Sequence, residues 1–409
     1  MKILFVVGAY PYQNEGLVQK HCKNVSPSSA ANVFQWAIID GLQKNHADFE
    51  VISYPFLPCF PKNYSRLYSP KSLLEYKGKI VGSIDSYCTL PFIKNFSIKR
   101  KLRYKAEEWL KHKYSQSDDI VVLTYSPVAF FIEPIAKLKK KFPRLRICSI
   151  VTDLPDFFTS PLNNLKGIKR IQARFEQKAI FKNYRYIDQF VLLTEQMEDK
   201  IPNSKNNSIV IEGISSVNEL PVIDKKDSEK RIVLYTGALR DGMGIRDLVD
   251  AFMMTKDSSF ELDICGSGEC SDYIEDMAKK DSRIHYLGRV SRDRSVELQR
   301  KATLLVNPRK PQDFTKYSFP SKTMEYMTSG TPMMGYKLQG IPKEYYDYYY
   351  TINALDINAL SERINEVLSL RQEELNRKAI EAGTFIIKNK TSFMQVKKIL
   401  DFLNQRKHE

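Results

Sequence analysis

Residues 231–255, RIVLYTGALRDGMGIRDLVDAFMMT, hold a short apolar run, a turn with glycines at 237, 242 and 244, and an amphipathic repeat. The run from Arg231 to Thr236 is rich in β-branched and aromatic types and predicts a buried strand. Ile245, Leu248, Val249 and Phe252 follow at helical spacing. A helix that follows a strand carries the chain back to begin the next strand beside it, so this stretch reads as one unit of a parallel sheet.

The unit recurs on both sides. Downstream, strands are predicted at Phe260–Cys265, Ile284–Leu287, Thr303–Val306 and Pro332–Tyr336, with helices at Ser271–Lys280, Arg292–Arg300 and Phe319–Ser329. Upstream, strands are predicted at Ile3–Val7, Phe49–Ser53, Ile120–Thr124, Arg146–Val151, Gln189–Leu193 and Ser208–Ile211, with helices at Ala30–Lys44, Lys99–Tyr114, Val128–Lys140 and Lys169–Asn183. Pro55–Ser97, with its Pro, Tyr and Ser clusters, reads as an insertion or a long loop. The polar stretch 217–230 reads as a linker. The expected fold is therefore α/β, with two doubly wound Rossmann-like domains, 1–216 and 231–390, facing a cleft. The tail 391–409 carries Phe393, Val396, Ile399, Leu400 and Leu403 at helical spacing and is expected to pack back on the first domain. Ligands of open parallel sheets bind beyond the carboxyl ends of the strands, so loops of both halves are expected to line the cleft.

Composition narrows the function classes. The 409 residues exceed one ordinary domain of about 150 residues, and 43% hydrophobic with 27% charged residues is a globular composition. Met1–Gly8 resembles a first strand more than a signal peptide, and the longest apolar stretch, Ile120–Leu138, is broken by Pro127, Glu133 and Pro134. A cytoplasmic protein is expected. Six cysteines lack any Cys-x-x-Cys pair, and Asp-x-Asp, Gly-x-Ser-x-Gly, Walker and His-Glu-x-x-His motifs are missing. No metal is expected. The net charge of +15 lies almost wholly in the first half, where 32 Lys and Arg face 19 Asp and Glu up to Ser215. Between Lys94 and Lys113 eight basic residues surround Ile98, Leu102, Ala106, Trp109 and Leu110 at helical spacing. That basic amphipathic helix reads either as a solvated cover for the sheet or as a surface drawn to anionic lipid at the inner membrane face. Nucleic acid is not expected, because no nucleic-acid-binding signature accompanies the charge.

Residues 317–330, YSFPSKTMEYMTSG, carry the chemistry. Ser318 is placed to cap a helix, with Pro320 in its first turn and Gly330 past its end. Lys322 and Glu325 share a face, either as an ion pair or as a clamp in which the lysine holds a phosphate and the glutamate a ribose. Arg309 is placed to reach the same diphosphate, or it and Lys310 are surface charges, and Ser321 is a further donor-side candidate. Gly237 and Arg240 of the first turn, Gly266 and Gly268 of the second, and Arg289 and Val290 of the third are further donor-side candidates. In the first half Asp153, in Val151-Thr-Asp-Leu-Pro-Asp156, ends a strand as a base or hydroxyl acceptor, or as a turn cap. Ser126, Glu195 and Glu212 end neighbouring strands and are expected on the acceptor side.

Together these motifs resemble a GT-B glycosyltransferase of family 4, in the branch of bacterial capsule, exopolysaccharide and lipopolysaccharide O-chain synthesis. The resembling series is Tyr235-Thr-Gly-Ala-Leu, Asp263-Ile-Cys-Gly-Ser-Gly, Tyr286-Leu-Gly-Arg-Val, Leu305-Val-Asn-Pro-Arg and Tyr317 to Pro332, with Asp153-Leu-Pro-Asp and Leu192-Leu-Thr-Glu-Gln-Met in the first half. The resemblance implies a nucleotide-sugar donor on the second domain, a glycan or polyprenyl-diphosphate-linked acceptor on the first, and metal-free transfer with retention. It implies that Glu325 binds ribose, that Gly266, Gly268 and Val290 line the base region, and that Lys322 and Arg309 hold the diphosphate. The family's usual arginine and lysine of the first turn are Ala238 and Met243 here, the first glutamate of its paired motif is Tyr317, and its common histidine is Asp153. A nucleotide-sugar epimerase of similar fold and a non-catalytic sugar-binding scaffold are the alternatives.

Overall fold

The computed structural model describes residues 1–11, 18, 20–23, 29–114, 119–154 and 167–405. It comprises two compact units, one of Met1–Ile214 with Ser392–Glu409 and one of Ser215–Thr391.

The first unit is built on an eight-stranded sheet. Its strands are β1 (Lys2–Val7), β2 (Asp48–Ser53), β3 (Ser72–Tyr76), β4 (Lys79–Ile84), β5 (Ile120–Tyr125), β6 (Leu145–Val151), β7 (Gln189–Leu192) and β8 (Ser208–Val210). Its helices are α1 (Ser29–Lys44), α2 (Ile93–Lys113), α3 (Ala129–Leu138) and α4 (Ile168–Tyr184). The strand order β3-β4-β2-β1-β5-β6-β7-β8 reverses direction at β1, and every neighbour pair is parallel except β3 with β4. All six residues of β5 are buried, as a strand covered on both faces requires.

Of the two readings of Pro55–Ser97, an insertion or a long loop, the β3–β4 hairpin corrects the second. Its turn places Lys77 at φ 48° and Gly78 at φ 75°, the two positive values a two-residue hairpin of this hand demands. A lysine in place of the usual Asn or Asp hides that turn in the sequence.

Helix α2 buries Ile98, Leu102, Ala106, Trp109 and Leu110, the stripe its spacing marks. Four of its lysines brace the unit instead of facing solvent alone. Lys99 meets Glu133 at 2.5 Å and Lys105 meets Asp85 at 2.9 Å, while Lys94 and Lys101 donate to the carbonyls of Leu57 and Ser86.

The second unit has a six-stranded, all-parallel sheet of β9 (Arg231–Ala238), β10 (Phe260–Ser267), β11 (Ile284–Gly288), β12 (Leu304–Asn307), β13 (Met333–Tyr336) and β14 (Tyr350–Ile352), in the order β11-β10-β9-β12-β13-β14. Its helices are α5 (Ile245–Met253), α6 (Ser271–Lys280), α7 (Arg292–Lys301), α8 (Lys322–Met327), α9 (Ile357–Leu368) and α10 (Gln372–Asn389). The order reverses between β9 and β12, the switch point where such sheets leave a crevice. Segment 217–230, expected as a linker, lies against this unit. Lys225 donates to the Ala302 carbonyl at 2.8 Å and to the Thr331 hydroxyl, and burial depresses its pKa to about 8.

The last helix, α11 (Ser392–Asn404), packs on α1 of the first unit. Gly41 permits the approach, because a Cβ there would stand 2.3 Å from Val396 Cγ2. Asp40 locks it. Its carboxylate receives Lys44 at 2.7 Å, Lys77 at 3.1 Å, the Tyr76 hydroxyl at 2.7 Å and the Ser392 hydroxyl.

Candidate functional site

Strand β9 ends in Tyr235-Thr236-Gly237-Ala238, and the site is built on that end. Gly237 has φ 153°, and a Cβ on it would lie 1.9 Å from the Nζ of Lys322. The lysine amine thus occupies the space a side chain at 237 would take. It also stands 5.5 Å from the centroid of the Tyr235 ring, whose hydroxyl donates to the Ala238 carbonyl at 2.9 Å. Desolvation lowers the Lys322 pKa, and Glu325 opposes that shift without forming an ion pair with it. Among the described residues Lys322 has no acidic partner, so the simple ion-pair reading of Lys322 and Glu325 does not hold.

Arg309 follows β12. Its guanidinium carbon lies 5.1 Å from the Phe314 ring centroid, its Nη2 donates weakly to Ser318 Oγ at 3.4 Å, and its Nε is buried without a hydrogen-bond partner. Burial lowers its pKa as well, with only Tyr235 acting the other way. Lys310 is different, since it pairs with Asp247 at 2.7 Å. Two partly desolvated cations therefore lie against aromatic rings, Lys322 at Tyr235 and Arg309 at Phe314, and neither forms an ion pair with a carboxylate among the described residues. Removing charge from water without a counter-charge is costly, so the arrangement suits an anion with several oxygens.

Helix α8 starts at Lys322, and the expected cap at Ser318 is not formed. Ser318 is extended (φ −145°, ψ 134°) and turns its hydroxyl to Arg309, while Ser321 leads into the helix without a side-chain cap. The cause is Pro320, which keeps the residue before it out of the helical region and delays the first turn, closed by Thr323 N–H to the Pro320 carbonyl at 2.8 Å. Gly330 sits past the helix end at φ 84°, as its position implies.

Glu325 is exposed, and its Oε1 accepts from Gln299 Nε2 at 2.6 Å. Gly266 and Gly268 serve the strands first. A Cβ at Gly266 would lie 1.8 Å from the Gly237 carbonyl oxygen, and one at Gly268 would lie 2.4 Å from that of Leu239. Arg240, Arg289 and Ser321 are exposed, and Val290 is half-buried against the core of this unit.

In the first unit Asp153 follows β6. It keeps an open surface, yet the protein around it desolvates the carboxyl and pushes its pKa up to about 6, with a long contact from Thr152 Oγ1 at 3.4 Å opposing the shift. Ser126 is buried at the end of β5, and Glu195 is exposed at the start of a 3-10 turn, Glu195–Asp199. Glu212 is buried and accepts from Gln395 of α11 at 3.3 Å. Pro155 and Asp156 lie outside the described residues. Among the described residues no three His, Cys, Asp or Glu side chains are grouped as metal ligands, and no helix is long and apolar enough to cross a membrane.

Sequence reasoning missed Tyr235, Phe314 and Gln299 as parts of the site. Tyr235 at the end of a strand facing the glycine turn was a visible signal. Gln299 had none, because its role depends on a partner 26 residues away.

Comparison with known proteins agrees with this architecture. Residues 216–407 match the family model described as glycosyl transferases group 1. Among solved structures the chain is similar to the lipopolysaccharide outer core galactosyltransferase WaaB, at 16% identity over 98% of this chain and 99% of that one, with a TM-score of 0.59. It is similar to the sucrose-phosphate synthase of Thermosynechococcus elongatus, at 15% identity over 99% of both chains with a TM-score of 0.62. Anabaena HepE, solved in complex with UDP, aligns at 13% identity over 99% of this chain and 100% of that one, with a TM-score of 0.60. The fold is that of GT-B glycosyltransferases. Among curated proteins none matches this chain.

Proposed function

We propose that the chain is a retaining, metal-independent glycosyltransferase of family 4. It would move a sugar from a nucleoside diphosphate, uridine first and guanosine second, to a glycan or polyprenyl-diphosphate-linked acceptor in bacterial surface polysaccharide synthesis. The observation that carries this reading is the pair Lys322 and Arg309, two partly desolvated cations, one at the Tyr235 ring and one at the Phe314 ring, neither ion-paired among the described residues. In such a transfer the bond between the anomeric carbon and the diphosphate oxygen breaks, and the leaving group takes the electron pair. Cations already in place stabilise that charge without reorganising, which is where electrostatic catalysis gains most. Glu325 would accept ribose hydroxyls. The acceptor oxygen bonds to the anomeric carbon, and its proton passes to the departing phosphate or to Asp153, whose pKa of about 6 suits such an exchange.

A peripheral position on an anionic inner membrane surface fits the first unit. Besides its braced lysines, α2 exposes Phe92 (84%) before its start, Phe96 (67%), Arg100, Arg103 and Tyr104. Phe96, Arg100 and Tyr104 recur every four residues and Arg103 falls three after Arg100, so aromatic and basic groups share one face. Charged heads with apolar wedges are the composition of interfacial helices.

The test is turnover with a panel of nucleotide sugars, with and without glycan acceptor and with divalent ions chelated. Nucleoside diphosphate released only with acceptor, at a rate the chelator leaves unchanged, is the expected result. An altered sugar without acceptor would mean an epimerase, and binding without turnover a scaffold.

A further inference from the structure

An exposed glutamate on a six-residue helix has several rotamers open to it, and ordering such a side chain costs conformational entropy. Gln299 of α7 removes that freedom for Glu325. Gln299 is 1% exposed, and its Nε2 donates to Glu325 Oε1 at 2.6 Å and to Thr236 Oγ1 at 3.1 Å, with Ser295 Oγ at 3.3 Å. The amide cannot be turned over, since its oxygen would then face a carboxylate oxygen. Further hydrogen bonds fix the remaining donors. The Thr236 hydroxyl, already an acceptor from Gln299, has the Tyr326 oxygen at 3.2 Å for its own proton, and the Tyr326 hydroxyl donates to the Thr236 carbonyl at 3.2 Å. Thr331 Oγ1 donates to the Gln299 main-chain carbonyl at 2.6 Å and holds the base of the side chain. Each donor has an acceptor, so the network runs in one direction and ends on Glu325 Oε1 as the acceptor.

We infer that Gln299 is a positioning residue that sets the plane of the Glu325 carboxylate for two adjacent hydroxyls of a nucleotide ribose. The inference rests on the reading of Glu325 as the ribose ligand. An ionised carboxylate has about four lone-pair sites, so one bond from Gln299 leaves room for a diol. Gln299 itself is too buried to touch the nucleotide and acts through Glu325.

The experiment measures binding of UDP and GDP, each against its 2′-deoxy counterpart, to the full chain and its variants. The wild type is expected to favour the ribose form by about tenfold or more, the effect of a hydroxyl bonded to a charged group. Gln299→Leu is expected to cut that preference to about threefold or less, the size of a loosely held bond, and to leave deoxynucleotide affinity nearly unchanged. Gln299→Glu keeps the shape and guards against a misfolded Leu variant. At pH 8 its two carboxylates repel and the preference disappears, and on acidification a shared proton restores the hydrogen bond and the preference together. A preference unchanged in both variants overturns the inference, as does an equal loss for both nucleotides. A wild type that binds neither nucleotide, or binds both forms alike, overturns the reading of Glu325 before any substitution is made.

Discussion

Replacing Gly237 with alanine tests the clamp without touching a charged residue. The new methyl would stand 1.9 Å from Lys322 Nζ and 2.4 Å from its Cε, and 3.1 Å from the Tyr235 hydroxyl. Because the crowded atoms are the free end of a flexible chain, the amine moves away and the backbone stays. Strain from the positive φ of 153° is expected to cost about 1–3 kcal/mol of stability. The effect on catalysis should be larger. Losing one preorganised donor to a developing anionic charge costs about 10²–10³ in kcat, or roughly 2.7–4 kcal/mol of transition-state stabilisation. Gly237→Ala and Lys322→Ala should therefore fall by similar factors, and the double variant should fall little further, because both remove the same amine. The assay is nucleoside diphosphate release at saturating acceptor, with thermal unfolding alongside to confirm folded protein. A Gly237→Ala enzyme within about threefold of wild type, or a double variant whose losses multiply, would refute the reasoning.

Three more outcomes are expected. Asp153 has a raised pKa because ionisation is penalised where it sits, so kcat/KM should rise through an apparent pKa near 6 and Asp153→Asn should lose that limb. The same penalty destabilises the fold as pH climbs through that value, so the Asn variant should melt higher than wild type at pH 8, and a lower melting temperature would contradict it. Asp40→Asn should cost about 1–3 kcal/mol in urea unfolding, since the four groups bound to that carboxylate join α1, the β3–β4 hairpin and α11. Burial works against that carboxylate, yet these partners hold its pKa well below the usual range, so its contribution is present above about pH 4 and lost on acidification, where variant and wild type should converge. Phe92→Ser with Phe96→Ser should weaken sedimentation with anionic vesicles by about tenfold or more, given about 1.5–3 kcal/mol for each buried phenylalanine, and leave transfer to a soluble acceptor unchanged. Equal vesicle binding by the variant would remove the aromatic wedge from the account.

What could be read in the sequence was local. The apolar stripe of α2 and the span of α6 are set by spacing within one helix, and the structure has them where the spacing puts them. Central strands such as β5, β12 and β13 declare themselves by burial on two faces. What failed depended on a single local rule or on distance. Lys77 in a turn that favours Asn or Asp concealed a hairpin. Pro320 moved the start of α8 and freed Ser318 for Arg309. Glu212 met Gln395, 183 residues on, because the last helix returns to the first unit.

The site's central contact is of the second kind. Nothing in the local sequence says that the missing side chain of Gly237 makes room for an amine 85 residues later. The glycine reads as a turn residue and donor-side candidate and the lysine as a phosphate ligand or half of an ion pair, and neither reading brings the two together. Only the fold shows that one is absent so that the other can be present. Burial opposes the charge of Lys322 at that contact, and it opposes that of Arg309 beside Phe314 as well. On the proposed reading, a lysine and an arginine that the fold would hold more easily if neutral carry that cost until a diphosphate binds. Stability and affinity for that anion should therefore move in opposite directions when either cation is replaced by an apolar residue of similar length.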